Sequence, residues 1–340
     1  MMKYQICILT VFCSLAIGSA VAERPKVRAE VLEVSKIWDN ARHNAFTDLV
    51  RHNEKWFCVF REGSAHVSPD GALRVLQSDD AKNWTSAALI EYPSGDLRDA
   101  KITVTPDGRL MLSGAVAVNQ PADYKHQSLT WFSDDGIHWS DAHEVGDRDF
   151  WLWRTTWHKD TAYGIGYATG SGPRSVRLYQ SDDGMNYETL VENLFDEGYP
   201  NETSLVFTGD DKAYCLLRRD GGTKTGQLGI SQPPYRQWDW KDLETRIGGP
   251  QMIQLPTGEM IAVVRLYDGG ARTSICQVDP TLGTMTELTK LPSGGDTSYA
   301  GVVWHDGLLW VSYYSGHQNN GTTTKTAIYF AKVRIQSAAP

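Results

Sequence analysis

Short runs rich in apolar, β-branched and aromatic residues fill the chain from residue 30 onward, broken every few residues by Asp, Asn, Gly or Pro. Runs of this length between turn residues read as β-strands. The first, EVLEVSKIW (30–38), stands alone. FTDLV, KWFCVF, LRVLQ and AALIEY then form a set, followed by KITVT, RLMLSGAV and SLTWF, and by RTTWH, TAYGIGY and SVRLYQ. Three more sets keep the rhythm: TSLVF, KAYCLLR, GQLGIS; QMIQL, EMIAVVR, SICQV; YAGVVWH, LLWVSYYS, AIYFAKVRI. Tight turns such as Pro106-Asp107-Gly108 and Asp306-Gly307 join the first two runs of a set, where Asp bonds nearby backbone and Gly accepts positive φ.

A motif recurs after the third run: SDDAKNWTS from Ser78, SDDGIHWSD from Ser133 and SDDGMNYET from Ser181, at spacings of 55 and 48 residues. Four strands per repeat at this period describe a propeller blade. The expected fold is all-β, a six-bladed β-propeller forming a single domain over residues 23–340. The last set is one strand short and residues 30–38 have no partner, so that segment is expected beside residues 327–333, closing the ring and covering an open edge. Antiparallel order sends successive turns to alternating faces. The motif turns, with Asp79, Asp134 and Asp182 as the expected turn formers, share one face, and the long polar connections share the other, where a binding site would be built.

Composition narrows the setting. A charged start, an apolar stretch over residues 6–17 and Ala20-Val21-Ala22 read as a secretory leader cleaved near Ala22, so the chain is expected to be secreted or periplasmic, without a membrane anchor. Cys7 and Cys13 fall in that leader. Cys58, Cys215 and Cys276 lie in apolar runs and read as small buried hydrophobes, not as a disulfide framework or a zinc site. A net charge of −8 with interspersed signs gives no nucleic-acid footprint. Twelve Trp and fifteen Tyr suit both strands and sugar-stacking surfaces.

On the expected functional face, nearly every blade delivers an arginine, a carboxylate or both: Arg61, Glu62 and His66; Asp96, Arg98 and Asp99; Arg154; Glu202, Arg218 and Arg219; Arg265; and Asp296 with Tyr299. At these residues the chain resembles the sialidase (neuraminidase) superfamily, whose six blades carry Asp boxes of the form Ser-x-Asp-x-Gly-x-x-Trp. SDDGIHW follows that form with one residue fewer, Gly136 standing directly after Asp135; SDDGMNY differs further at Tyr187 and SDDAKNW at Ala81. In NETSLVFTGDDKAYCLLRR the resemblance implies Glu202 as partner of the nucleophile and Arg218 or Arg219 as a substrate clamp. It also implies Tyr299 as nucleophile and Arg265 as a further clamp. Where the family opens its first blade with Arg-Ile-Pro, this chain has ARHNAFTDL, with Arg42 close by and Arg61 or Arg98 as possible substitutes. The family's acid lies in a loop that here reads GSAHVSPDG, offering His66 or Asp70.

The chemistry behind such a set is coherent. Guanidinium groups grip a sugar carboxylate in bidentate fashion. An anionic nucleophile would be repelled by that carboxylate, so a tyrosine activated by a glutamate serves instead. The expected catalytic residues are thus Tyr299, Glu202, His66 and Asp70. The expected substrate-binding residues are Arg61, Arg98, Arg154, Arg218, Arg219, Arg265, Asp99 and Asp296, with no metal or cofactor. The resemblance implies a secreted exo-glycosidase releasing a terminal acidic sugar from a glycan. Two alternatives stay open: another sugar-active enzyme on the same scaffold, a hydrolase or lyase acting on uronic-acid or other glycosides, and a non-catalytic carbohydrate-binding propeller.

Overall fold

The computed structural model of the chain describes residues 27–93, 95–119, 123–318 and 325–337, so the expected leader lies outside the described residues. After β1 (Val27–Trp38) come β2 (His43–His52), β3 (Lys55–Gly63), β4 (Ala72–Ser78) and β5 (Thr85–Ile90), an antiparallel sheet in chain order. β6 (Gly95–Val104), β7 (Leu110–Val118), β8 (His126–Ser133) and β9 (His143–Val145) repeat the arrangement. So do β10 (Phe150–His158), β11 (Thr161–Ala168), β12 (Val176–Ser181) and β13 (Glu188–Phe195).

The next seven strands form one sheet: β14 (Pro200–Phe207), β15 (Ala213–Arg219), β16 (Thr225–Ser231), β17 (Trp238–Gln254), β18 (Met260–Leu266), β19 (Arg272–Asp279) and β20 (Thr284–Lys290). β17 pairs with β16 through residues 238–246 and with β18 through residues 247–254. The sheets therefore number four of four strands and one of seven, not six separate ones. The chain passes from the outer strand of one set into the inner strand of the next without a break. The last sheet runs β1–β23–β22–β21, from β21 (Thr297–His305), β22 (Leu308–Ser315) and β23 (Ala327–Ser337). β1 lies antiparallel on β23, with Val31 opposite Val333 and Ser35 opposite Phe330, so the N-terminal strand covers the edge the C-terminal set leaves open.

The inner strands contact one another in a closed ring, β2–β6–β10–β14–β17–β21 and back to β2. This makes the molecule an all-β propeller. Side chains between neighbouring sheets form the core: Phe57, Val59, Leu73 and Val75 meet Ile102, Leu110, Leu112 and Leu129. Each such side chain contributes about 1.5–3 kcal/mol by leaving water. Polar stitches tie inner strands together near the axis. Asp48 on β2 accepts from the Ile102 N–H on β6 (2.9 Å) and from Arg154 Nη1 on β10 (2.6 Å). Cys58, Cys215 and Cys276 are buried and unbridged.

The recurrent turns form as hydrogen-bonded loops, but by the second aspartate of each pair. Asp135 Oδ1 accepts the N–H groups of Ile137 and His138, both at 2.8 Å, and Asp80 and Asp183 do the same in their turns. Those bonds hold the Asp135 carboxyl below the usual range, the His138 N–H foremost. Asp79, Asp134 and Asp182, expected as turn formers, are exposed. Ser78, Ser133 and Ser181 sit opposite Trp56, Leu110 and Ala162, near the starts of the second strands. Arg61, Arg218 and Arg219 lie at the far ends of such strands, on the other face.

Candidate active site

Every inner strand carries a one-residue register shift at its upstream end, two residues facing one on the partner strand: Ala45/Asp48, Arg98/Lys101, Leu152/Thr155, Pro200/Thr203, Gly248/Gln251 and Ser298/Gly301. Bulges of this kind re-aim side chains, and here they ring the axis on one face. The first bulge residues are Phe46, Asp99, Trp153, Asn201, Gly249 and Tyr299. Four of them have φ of +52° to +62° (Phe46, Asp99, Gly249, Tyr299), a conformation that bulky residues hold only when their surroundings demand it.

The bulges of β14 and β21 bring Glu202 and Tyr299 together. The Tyr299 hydroxyl donates to Glu202 Oε1 at 2.6 Å, while Arg218 Nη1 donates to the same carboxylate oxygen and to the tyrosine oxygen, both at 2.8 Å. The other Glu202 oxygen takes the Gly249 N–H at 2.9 Å. Around the tyrosine ring stand Phe46 at 5.1 Å and Trp153 at 5.8 Å, with the Arg265 guanidinium over its face at 5.2 Å. Burial opposes ionisation of Glu202, yet the Arg218 charge and the hydrogen bonds from Arg218, Tyr299 and Gly249 outweigh it and hold the carboxyl below its usual value. Burial and then the Glu202 charge push the Tyr299 phenol well above its usual value, against the pull of Arg218 and Arg265. The resting pair is therefore a carboxylate and a neutral phenol.

A Cβ on Gly249 would lie 2.8 Å from Tyr299 Cδ2 and 3.0 Å from its backbone N, in backbone with φ +53°. Only glycine permits this approach. Gly249→Ala is expected to displace the tyrosine ring and lower activity by ~10²-fold, the scale of a 1 Å misplacement of a reacting group. Activity within a few-fold of the parent protein would show that the tyrosine position does not matter.

Asp296 is the hub of a second cluster. Its Oδ2 faces His43 Nε2 at 2.9 Å and His66 Nδ1 at 2.8 Å, and its Oδ1 accepts from the Tyr314 hydroxyl at 2.6 Å and Arg265 Nη2 at 3.4 Å. Burial works against the Asp296 charge, but the bonds from His43, His66 and Tyr314 prevail and keep it far below the usual carboxylate range. His43, His66 and Asp296 offer donor atoms within 4.8 Å of one another and could take a metal ion. Metal-bound imidazoles use the second ring nitrogen in an orienting hydrogen bond, and His43 Nδ1 is buried with no partner among the described residues. The arrangement fits two imidazoles anchored on one carboxylate better. His66 is then held through Nδ1, with half its side chain exposed.

Several expected site residues have structural duties instead. Arg61 is fully buried, bonding Asp96, the Ala65 carbonyl and Ser68, so it supports the loop that carries His66 and is not a substrate clamp. Arg154 is tied to Asp48 through Nη1. Arg219 turns to Asp242 and Thr225, leaving Arg218 as the arginine at the carboxylate. Asp70 accepts from the Ser64 N–H and hydroxyl in its own loop, which leaves His66 as the loop residue joined to the cluster. Asp296 is occupied by His43, His66, Tyr314 and Arg265 and serves as an anchor. Arg98 and Asp99 stand at the β6 bulge. Sequence reasoning passed over His43, which lies in the ARHNAF stretch where an arginine was sought, and also Gly249, Tyr314 and Asp220. Lys101 is buried on β6 with Nζ 4.7 Å from the Trp153 ring centroid, and burial lowers its pKa to about 8. A lysine opening the run KITVT gave no sign of this.

No protein-family model and no curated protein matches the sequence. Solved structures do match the fold. A protein of unknown function from Dyadobacter fermentans superposes with a TM-score of 0.76 at 18% identity, over 92% of this chain and 100% of that one. An α-L-arabinofuranosidase from Fusarium graminearum, in complex with an iminosugar inhibitor, gives 0.71 at 12% identity, over 89% and 98%. A Trypanosoma rangeli sialidase in complex with 2,3-difluorosialic acid, described as a covalent intermediate, gives 0.69 at 11% identity over 92% of this chain. The present chain spans 60% of that sialidase's length. At such identities the likeness is one of fold: a sialidase-like β-propeller, shared with arabinan-active enzymes.

Proposed function

We propose that this protein is a glycoside hydrolase that works through a covalent intermediate on Tyr299, releasing a terminal acidic sugar from a glycan. In this reading the β14–β20 sheet counts as two blades sharing β17, giving six in all, and the leader directs the enzyme to extracellular or periplasmic glycans. The observation that carries it is the Tyr299–Glu202–Arg218 set, in which a neutral phenol already donates to a carboxylate at 2.6 Å. The phenol oxygen attacks the anomeric carbon as its proton passes to Glu202, and the bond to the leaving oxygen breaks as protonated His66 supplies a proton. Neutral His66 then takes a proton from water, whose oxygen displaces Tyr299, and Glu202 returns the proton to the phenolate. Asp296 and His43 hold His66 in orientation for both steps.

A second reading is favoured by the loss of Arg61, Arg154 and Arg219 to internal partners. With fewer arginines free for a carboxylate, the substrate class extends to uronides or other glycosides, processed by the same Glu202 and His66 as base and acid. Purified protein assayed on a chromogenic sialoside, with uronides and neutral glycosides in parallel, separates the two. No hydrolysis of any of them would defeat the hydrolase reading. His66→Gln is expected to lower cleavage of poor leaving groups by ~10²–10⁴-fold and of nitrophenyl glycosides far less, because only the former need a proton donor. Equal losses on both would remove His66 from the acid role.

A further inference from the structure

The arginines on the site face differ in how much of each guanidinium is already spent. Arg218 bonds Asp220 through Nε and Nη2, and Glu202 and Tyr299 through Nη1. Arg265 commits Nε and Nη2 to the Thr297 carbonyl, Asp296 and Tyr314. Arg61 and Arg219 are taken up by internal partners, and Arg154 gives Nη1 to Asp48 while its Nε is buried without a partner among the described residues. Arg98 forms no hydrogen bond with any described residue, and its Nε is buried without a partner. A buried donor left empty is destabilising, so it calls for an explanation.

Arg98 is nonetheless fixed in place. Its guanidinium carbon lies 5.7 Å from the Phe46 ring centroid and 5.8 Å from that of Trp151, rings supplied by the neighbouring β2 and β10. Aromatic contacts on this scale hold the planar fork while leaving its N–H edge available. The acids nearby do not fill that edge. Asp96 takes Arg61 on Oδ1 at 2.7 Å, and its buried Oδ2 makes no hydrogen bond with Arg98 or any other described residue. Asp99, the adjacent bulge residue, makes no hydrogen bond with a described residue, and burial pushes its carboxyl up against the pull of Arg98 and Lys101. His126, with its ring 5.1 Å from Trp151, bonds Thr169 through Nδ1, and its Nε2 makes no hydrogen bond with a described residue.

We propose that Arg98 is the anchor for an oxyanion substituent of the glycan, a carboxylate or a sulfate ester, so that the charged group of the substrate docks at the β6 bulge and not on Arg218 and Arg265. A guanidinium offers five donors and no acceptor, and a neutral hydroxyl would leave both its charge and most of its donors unanswered. The glycan as ligand rests on the hydrolase reading; the anion site itself does not.

The test uses Tyr299→Phe protein, which keeps the ring but cannot form the covalent intermediate. Calorimetric titration with glucuronate, N-acetylneuraminate, galactose 6-sulfate and neutral galactose gives each affinity directly. At least one anionic sugar is expected to bind ~10-fold or more tightly than galactose, and the arm that does so distinguishes carboxylate from sulfate. Adding Arg98→Gln should reduce that margin to ~2-fold or less, and Arg98→Lys should restore part of it, since lysine keeps the charge but not the fork. Because Arg98 makes no hydrogen bond with a described residue, Arg98→Gln should still unfold in one cooperative thermal transition, which confirms that the fold survives. A margin that persists in Arg98→Gln, or anionic and neutral sugars binding alike before the change, overturns the proposal. Anions held through Arg98 by a protein that cleaves no glycoside would sink the hydrolase reading alone. Cleavage of an anionic glycoside with KM unchanged by Arg98→Gln would sink the anion site alone.

Discussion

Tyr299→Phe is expected to lower kcat by ~10³-fold or more while changing stability by no more than about 1 kcal/mol, the scale of one lost hydrogen bond. The substitution deletes a single oxygen. The ring keeps its contacts with Phe46, Trp153 and the Arg265 guanidinium, and Glu202 keeps Arg218 and the Gly249 N–H. What disappears is the atom that would bond to the anomeric carbon. A free phenol near pKa ~10 is a poor nucleophile at neutral pH. Here burial and Glu202 push it higher still, so attack requires proton transfer to the carboxylate as the new bond forms. Mass spectrometry after incubation with a 2-fluoro glycoside should show a sugar adduct on a peptide containing Tyr299 in the parent protein and none in the variant. Turnover that survives in Tyr299→Phe would move the chemistry to the second reading, with Glu202 and His66 as base and acid.

Much of the scaffold was legible because strand rhythm and turn chemistry repeat along the chain. The unpaired strand at residues 30–38 and the short final set pointed to the same closure, and β1 does lie on β23. The join between the β14–β16 set and the next was not legible. Strand pairing runs unbroken through β17, whose sequence there reads DLETRIGGP and carries no long apolar pattern. Asn-Glu at the start of one strand and paired arginines at the end of the next marked Glu202 and Arg218, but could not say which arginine turned inward. The bulges left no trace: Phe46, Asp99, Trp153, Asn201, Gly249 and Tyr299 share a backbone position and no side-chain property. Arg61 and Arg154 end up as internal props because their partners, Asp96 and Asp48, come from other sheets. An arginine beside a loop reads the same in sequence whether it meets substrate or a buried carboxylate.

Glu202→Gln should separate the two roles of this carboxylate, because it keeps the shape and removes the charge. Activity should fall about as far as in Tyr299→Phe, since an amide oxygen cannot take the phenol proton at neutral pH. Stability should fall too, unlike in Tyr299→Phe. Arg218 would keep Asp220 at 3.0 Å but lose the charge of its other acid partner, and breaking a buried pair on one side costs on the order of 3 kcal/mol. The pH dependence supplies an internal check. The Glu202 carboxyl is held below its ordinary value in the folded protein, so its stabilising effect is complete above the unfolded pKa near ~4.3 and is lost as pH falls through the folded value. Parent and variant should therefore differ most in urea unfolding at neutral pH, and the gap should narrow on acidification below about pH 4. A gap that stays constant down to low pH would mean that Glu202 is not ionised against Arg218. In that case it could not serve as the acceptor for the Tyr299 proton.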